Sequence, residues 1–306
     1  MQRVVAIVNP RSAHGRTGKR WPQLRRDIEA VLGSIGSFET NGPKHATECV
    51  REALRHGADR VISVGGDGTH YEVVNGFFDA NGPIRPDAVM SVLPQGTGND
   101  LARSLGIPKW PHSLAFLAEG PTVRADVGRM QCQTDSGYRT YYFLNTCHVG
   151  IGGAVCERVN RKSKAYGGFY TYFWATVATL LTYRDTPMRL EIDGEVIEQP
   201  VKDLILANGQ YDGGGMHVAP AARLDSGHFE GFLIGPVSLA DAFISLPTLY
   251  RGKLHTRPDI IRAFTARHIK LESAVQAPTA ADGESTGFLP ATIDLLPAAL
   301  SLTAYA

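Results

Sequence analysis

Gly65-Gly66-Asp67-Gly68-Thr69 lies between an apolar run, Arg60–Val64, and a helical stretch, His70–Phe78. A glycine-rich turn entering a helix exposes backbone N–H groups, and the helix N-terminus adds partial positive charge, so the turn suits a chain of phosphates. Asp67 cannot bind phosphate itself, because like charges repel; it suits Mg²⁺ or a cationic partner. The spacing is neither G-x-G-x-x-G nor GxxxxGK[ST], which sets aside the dinucleotide fingerprint and the P-loop. A second loop, Pro94-Gln95-Gly96-Thr97-Gly98-Asn99-Asp100, follows the apolar run Ala88–Leu93. A third, Asn9-Pro10-Arg11-Ser12 leading to Gly15, follows Arg3–Val8. One such turn reads as a tight connection. Three at the carboxyl edge of one parallel sheet, carrying Asn, Asp, Ser and Thr, read as a ligand site.

The elements that must position these loops alternate in type. Short apolar runs at 3–8, 60–64 and 88–93 alternate with helical segments Trp21–Leu32, Thr47–His56, His70–Phe78 and Leu101–Leu105. Buried strands without polar alternation, separated by helices, predict a parallel α/β sheet for residues 1–125. From Asp126 the pattern changes. Arg189–Glu198 alternates in period two around Asp193-Gly194, a hairpin signal. Further strands are expected at Tyr141–Asn145, Asp203–Ala207, His228–Ile234, His268–Glu272 and Ala291–Leu295, with one helix inserted near 166–182. Residues 126–290 therefore read as an antiparallel β-sandwich domain, and 291–306 as a strand returning to the first domain, with a cleft between the two.

The bulk numbers narrow the class. The 306 residues are 43% hydrophobic and 20% charged, a composition able to bury a sizeable core. The formal net charge of +1 provides no global field toward nucleic acid. Cys49, Cys132, Cys147 and Cys156 lack CxxC spacing, which argues against a zinc site and fits a reducing cytoplasm. The N-terminus does not read as a signal peptide, and the apolar stretch 166–183 reads as a buried helix rather than a membrane span.

Residues 61–76 (VISVGGDGTHYEVVNG) and 92–108 (VLPQGTGNDLARSLGIP) resemble the diacylglycerol kinase catalytic-domain family, which includes bacterial soluble lipid kinases and the sphingosine and ceramide kinases. GGDGT alone is shared with NAD kinases; GGDGT followed by PxGTxNDxAR is more specific. The resemblance extends through Thr40 ahead of Ala46, Ala125–Gly128, Asn208-Gly209, Gly213–Gly215, Ala219-Pro220, Leu224-Asp225-x-Gly227 and Asp282-Gly283-Glu284. It implies an NAD kinase/diacylglycerol kinase-like fold and Mg-ATP-dependent phosphorylation of a lipid hydroxyl. ATP would lie across Asn9, Pro10, Ser12, Thr40, Gly65, Gly66, Asp67, Gly68, Thr69, Gly96, Thr97 and Asn99. Asp67, Asp100 and Asp126 would form an acidic set around catalytic Mg²⁺, with Asp100 alternatively capping the helix from Leu101. Asp282 is the favoured base for the lipid hydroxyl, with Glu284 the alternative.

Two departures from the family pattern stand out. Ser226 occupies the place of a second aspartate after Asp225, so no tightly held structural Mg²⁺ is expected at the 223–228 turn. Tyr71 replaces a common asparagine, next to His70, while Glu72 is kept. Arg11, Arg16, Lys19, Arg20, Arg25 and Arg26 read either as a solvated helix face or as contacts to phosphates and anionic headgroups. The helix near 166–182, with Phe169, Tyr172, Phe173 and Trp174, is a candidate wall for acyl chains, or plain core. The implied partners are a lipid substrate and transient peripheral contact with the inner face of the membrane, from the cytoplasm. No nucleic acid is expected, and a homodimer remains an option. The competing readings are an NAD kinase-like phosphotransferase and a homologue that binds nucleotide or lipid with weakened transfer.

Overall fold

Val4–Val8 is buried at all five positions, as a central strand covered on both faces must be. The computed structural model describes residues 2–161 and 168–305. The chain divides into two compact units, one of residues 1–127 and 297–306, the other of residues 128–296.

In the first unit, β1 (Val4–Val8), α1 (Arg16–Leu32), β2 (Gly36–Glu39), α2 (His45–Arg55), β3 (Arg60–Gly65) and α3 (Asp67–Gly76) alternate. The strand Val89–Pro94 and the helices Asp100–Ser104 and His112–Glu119 follow. β1 pairs in parallel with β2 and β3, and β3 pairs in parallel with Val89–Pro94. Val4, Ala6, Val8, Ile62, Val64 and Leu93 share one face with Trp21, Leu24 and Ile28 of α1 and with Leu117. Trp21, Leu24 and Ile28 recur at i, i+3 and i+7, so one stripe of α1 is apolar. Burying each contributes about 1.5–3 kcal/mol relative to exposure. α1 begins at Arg16 rather than Trp21, because Gly15 (φ 81°) turns the chain early and Gly18 N–H reaches Pro10 O at 3.1 Å. α3 begins on Asp67 rather than His70, directly on the glycine loop.

The second unit is an antiparallel β-sandwich. Asp203–Ala207 lies between Thr146–Gly150 and Phe229–Ile234, and Thr146–Gly150 pairs onward with Pro278–Ala281. The hairpin Thr186–Ile192/Glu195–Val201 turns at Asp193 (φ 47°) and Gly194 (φ 93°), the positive pair that a two-residue turn requires. Asp193 also accepts N–H bonds from Arg267 and His268 at 2.8–3.2 Å. Two helices were not foreseen, Ile151–Arg161 and Leu239–Tyr250, and the expected helix near 166–182 is Gly168–Leu180. Residues 166–167 and the side chains of Phe169, Tyr172 and Phe173 lie outside the described residues; Trp174 is 65% exposed. Among the described residues, no helix is long and apolar enough to cross a membrane.

The strand Glu284–Thr303 belongs to the second unit up to Leu296 and to the first from Pro297. Its end pairs in parallel with Val89–Pro94. Where it passes Ala298 (φ 49°), the Ala298 N–H donates to Asp126 Oδ1 at 2.8 Å, and Asp126 is buried. Asp126 thus holds an irregular point of the last strand. Asp126→Ala should lower stability by about 1–3 kcal/mol, because the Ala298 N–H loses its buried acceptor. Asp126→Asn, which keeps an oxygen, should cost less. Urea denaturation of the two variants checks both.

Candidate active site

The three loops singled out by sequence leave the carboxyl ends of neighbouring parallel strands, β1, β3 and Val89–Pro94. They are cross-linked. Asn9 N–H extends the ladder to Val64 O at 3.0 Å, and its side-chain Nδ2 donates to Thr69 Oγ1 at 3.0 Å. Asn9 Oδ1 accepts from Arg11 N, and the Ser12 and Thr17 hydroxyls bond each other. Thr40 is buried, and its N–H donates to Val8 O at 2.8 Å.

Gly66 and Gly96 approach each other through bare backbone. A Cβ on Gly96 would fall 2.6 Å from Gly66 Cα, and one on Gly66 would fall 3.1 Å from Gly96 Cα. Any side chain at Gly96 would drive the loops apart. Gln95 N–H donates to Gly65 O at 2.6 Å, holding that approach. Arg20 donates to Gln95 Oε1 at 3.0 Å while its guanidinium lies 5.7 Å from the Trp110 ring centroid. One cation of the early basic cluster, exposed at the surface, is therefore tethered to this loop. Thr97 is exposed at the loop, whereas Asn99 bonds both the N–H and the C=O of Gly96 at 3.1 Å. Asn99 therefore shapes the loop with the amide that sequence had offered to ATP.

Asp67 has a role that its sequence context did not reveal. Its carboxylate accepts the Asn99 N–H at 2.7 Å and the Leu101 N–H at 3.2 Å, capping the start of Asp100–Ser104 from another loop. It also stands in the first turn of α3, so its carboxylate lies at the start of two helices. Glu72 does the same for α2, taking Lys44 N–H at 2.8 Å and Ala46 N–H at 3.1 Å. His70 is fully buried, with Nδ1 bonded to Ser63 Oγ at 2.7 Å. Burial holds its pKa down to about 4, against the pull of Asp67, so it stays neutral near pH 7.

Of the other two expected acids, Asp100 pairs with Arg103 at 2.6 Å, and Asp126 accepts the Ala298 N–H at 2.8 Å. Among the described residues, no group of three or more His, Cys, Asp or Glu side chains could hold a metal ion. At the 223–228 turn, Asp225 pairs with Arg223 at 3.0 Å and Ser226 Oγ donates to His228 O at 2.8 Å. Both side chains close the turn on itself.

In the second unit, Asp282-Gly283 turns with both residues at positive φ, 46° and 78°. The Asp282 carboxylate is received by three consecutive amides: Oδ2 accepts Leu144 N–H at 2.9 Å, and Oδ1 accepts Asn145 and Thr146 N–H at 2.8 and 3.0 Å. This explains why the expected strand Tyr141–Asn145 stops at Phe143: the next residues leave the ladder to bind Asp282. Asn208 holds that segment from behind, its side chain on Leu144 O at 3.0 Å and its N–H on Asn145 O at 2.8 Å. Asn145 Oδ1 is buried without a protein partner. Burial pushes Asp282 up to about 7, against the three amides that favour its charge. Oδ2 carries one protein hydrogen bond and Oδ1 two, so a lone pair remains on Oδ2 for a proton. Glu284 accepts from Asn160 Nδ2 at 3.3 Å.

Sequence reasoning missed His148, Asp203 and Asp212. His148 Nδ1 meets Asp203 Oδ2 and its Nε2 meets Asp212 Oδ2, each at 2.9 Å, in the interior of the second unit. Burial disfavours charge on His148, but the two carboxylates hold its pKa up to about 10. The partners are far apart in sequence and carry no motif spacing. Only the pairing of Thr146–Gly150 with Asp203–Ala207 brings the first two together.

The first unit can thus offer backbone N–H groups and hydroxyls to phosphate, and the second a carboxylate poised near neutrality. Asp67→Ala should lower stability by about 1–3 kcal/mol, because the Asn99 and Leu101 N–H groups lose their acceptor. Nucleotide affinity should weaken with it. Thermal melts beside ATP calorimetry check this coupling; loss of turnover with unchanged melting and affinity would contradict it.

Residues 3–130 match the Diacylglycerol kinase catalytic domain, and residues 145–304 match the YegS C-terminal NAD kinase beta sandwich-like domain. A Mycobacterium tuberculosis protein named diacylglycerol kinase is 31% identical, over 98% of this chain and 94% of its own. A Staphylococcus carnosus protein of the same name is 28% identical, over 95% and 91%. Among solved structures, a diacylglycerol kinase from Bacillus anthracis aligns with a TM-score of 0.79 at 23% identity, covering 99% of this chain and 97% of that one. Yeast NADH kinase aligns at 0.50 and 12%, covering 100% and 84%. These two structures share the fold.

Proposed function

The chain belongs to the diacylglycerol kinase family and is a lipid kinase, and we propose that it transfers the γ-phosphoryl group of Mg-ATP to the hydroxyl of diacylglycerol or a related lipid. The observation that carries the acceptor half is the Asp282 carboxylate, held by three amides with a lone pair left on Oδ2. The nucleotide half rests on the contacting glycine loops. Their N–H groups receive phosphate oxygens, with Asn9, Ser12, Thr40, Thr69 and Thr97 around them. Magnesium bound with the nucleotide would neutralise the charge of the transferring phosphoryl group, with Asp67, Asp100 and Asp126 the carboxylates that would hold it.

A lipid hydroxyl is a poor nucleophile at neutral pH, and a base whose pKa lies near the working pH assists it best. Asp282 takes the hydroxyl proton as the oxygen attacks the γ-phosphorus. The bond from that phosphorus to the β–γ bridging oxygen breaks, and ADP leaves with the electron pair. Little covalent chemistry is asked of the protein, which supplies position and charge. Glu284, on the same turn, remains the second carboxylate to test.

The pH dependence follows from the raised Asp282 pKa. The base must be ionised, so lipid phosphorylation should fall as pH drops through about 7. Stability carries the opposite sign: a carboxyl raised in the fold contributes stability below its usual range, and that contribution is lost as pH rises through about 7. Asp282→Asn should abolish transfer to diacylglycerol and leave ATP affinity intact. It should also cost about 1–3 kcal/mol, because its NH₂ must face a backbone N–H that now lacks an acceptor. Glu284→Gln should keep the acid limb near neutrality. Labelled-ATP assays on diacylglycerol, phosphatidylglycerol and sphingosine decide. If Asp282→Asn transfers phosphate at the wild-type rate, Asp282 is not the base.

A further inference from the structure

The buried Asp203–His148–Asp212 cluster is used by nothing in the reaction above, yet it adjoins the Asp282 turn. His148 lies on Thr146–Gly150 opposite Ala280, two residues before Asp282 on the next strand. One strand connects the two groups: Thr146 N–H binds Asp282 Oδ1 and its C=O accepts the Asp282 N–H at 2.8 Å, while His148, two residues on, holds Asp212. Asp212 ends a short strand, Tyr211–Asp212, which pairs with Met216–His217 across Gly213-Gly214-Gly215. All three glycines have positive φ, 57°, 84° and 110°, and a Cβ on Gly213 would fall 2.1 Å from Met216 Cε. The positive φ values make the tight turn between the two strands and leave its tip as backbone without side chains.

Resting on the reading of Asp282 as the base, we propose that His148 is a positioning residue: clamped to the strand core through Asp203, it fixes Asp212 and thereby sets the Gly213–Gly215 tip beside the base as the subsite for the hydroxyl end of the acceptor lipid. The two bonds of His148 have different duties. The Asp203 bond anchors the ring to Asp203–Ala207, where Asp203 also accepts the Gly152 N–H at 3.2 Å. The Asp212 bond alone reaches the tip. Protonated His148 between two carboxylates also shares one positive charge with both, so Asp212 stays ionised close to Asp282.

Side-chain amides separate these duties. Glutamine can place its NH₂ where Nε2 stood and asparagine where Nδ1 stood. His148→Gln therefore keeps the donor to Asp212, and His148→Asn keeps the donor to Asp203. Each loses one bond to a buried carboxylate, so a merely structural role affects both alike. The assay is transfer from labelled ATP to dioleoylglycerol in phosphatidylcholine vesicles, run well below each melting temperature, with kcat and both KM values measured. We expect His148→Asn to lose about 100-fold in kcat, the scale of a ~1 Å misplacement at a reacting group, with KM for ATP unchanged. His148→Gln should stay close to wild type. If His148→Asn does not fold, Asp212→Asn and Asp203→Asn make the same comparison, with the loss expected in Asp212→Asn alone. Equal losses within a pair, or no loss in either, overturn the proposal. Asp282→Asn in parallel separates the failures: activity there removes the base reading, whereas an inactive Asp282→Asn beside indistinguishable His148 variants removes only the positioning role.

Discussion

A carboxylate accepting two or three closely spaced backbone N–H groups recurs where this chain leaves regular structure near its glycine-rich loops and turns. Asp282 takes three amides of the segment 144–146, Asp67 takes two at 99 and 101, and Glu72 takes two at 44 and 46. An irregular loop has amides with no ladder partner, and leaving them unpaired in a partly buried place costs about 1–3 kcal/mol each. One ionised side chain satisfies several amides at once through strong, charge-assisted bonds. The loops can then hold shapes that neither helix nor sheet would impose. Glycine completes the arrangement where backbones touch, as at Gly66 and Gly96.

The two units put this device to different electrostatic ends. In the first, the clamping carboxylate holds the start of a helix, and the glycine loops beside it keep backbone N–H groups at helix N-termini. In the second, burial opposes ionisation and leaves Asp282 poised near 7. His148, Asp203 and Asp212 place a buried cation between two carboxylates close by. On the proposed reading, the first unit would present fixed positive dipoles to phosphate and the second a group that gains and loses a proton, one side-chain type serving both because its surroundings differ.

The parallel sheet and its three loops were legible because buried strands, helical spacing and glycine turns are local signals. So was the hairpin at Asp193-Gly194. The antiparallel unit was legible in kind but less so in detail: Ile151–Arg161 and Leu239–Tyr250 lie where no clear periodic signal was read. The roles of individual acids were harder still. The grouping of Asp67, Asp100 and Asp126 as one acidic set came from the family resemblance rather than from any local signal. Which amide or guanidinium a carboxylate meets depends on tertiary register, and sequence spacing does not carry it. The truncated strand at Phe143 and the His148 cluster escaped notice for the same reason.

The acceptor is the point on which the account turns, because the fold is shared with a yeast NADH kinase. Purified protein given labelled ATP should be offered diacylglycerol in phosphatidylcholine vesicles and, separately, NAD at matched concentration. The account predicts label in a chloroform-soluble phosphatidic acid and none in NADP. Label in NADP with none in lipid would contradict it.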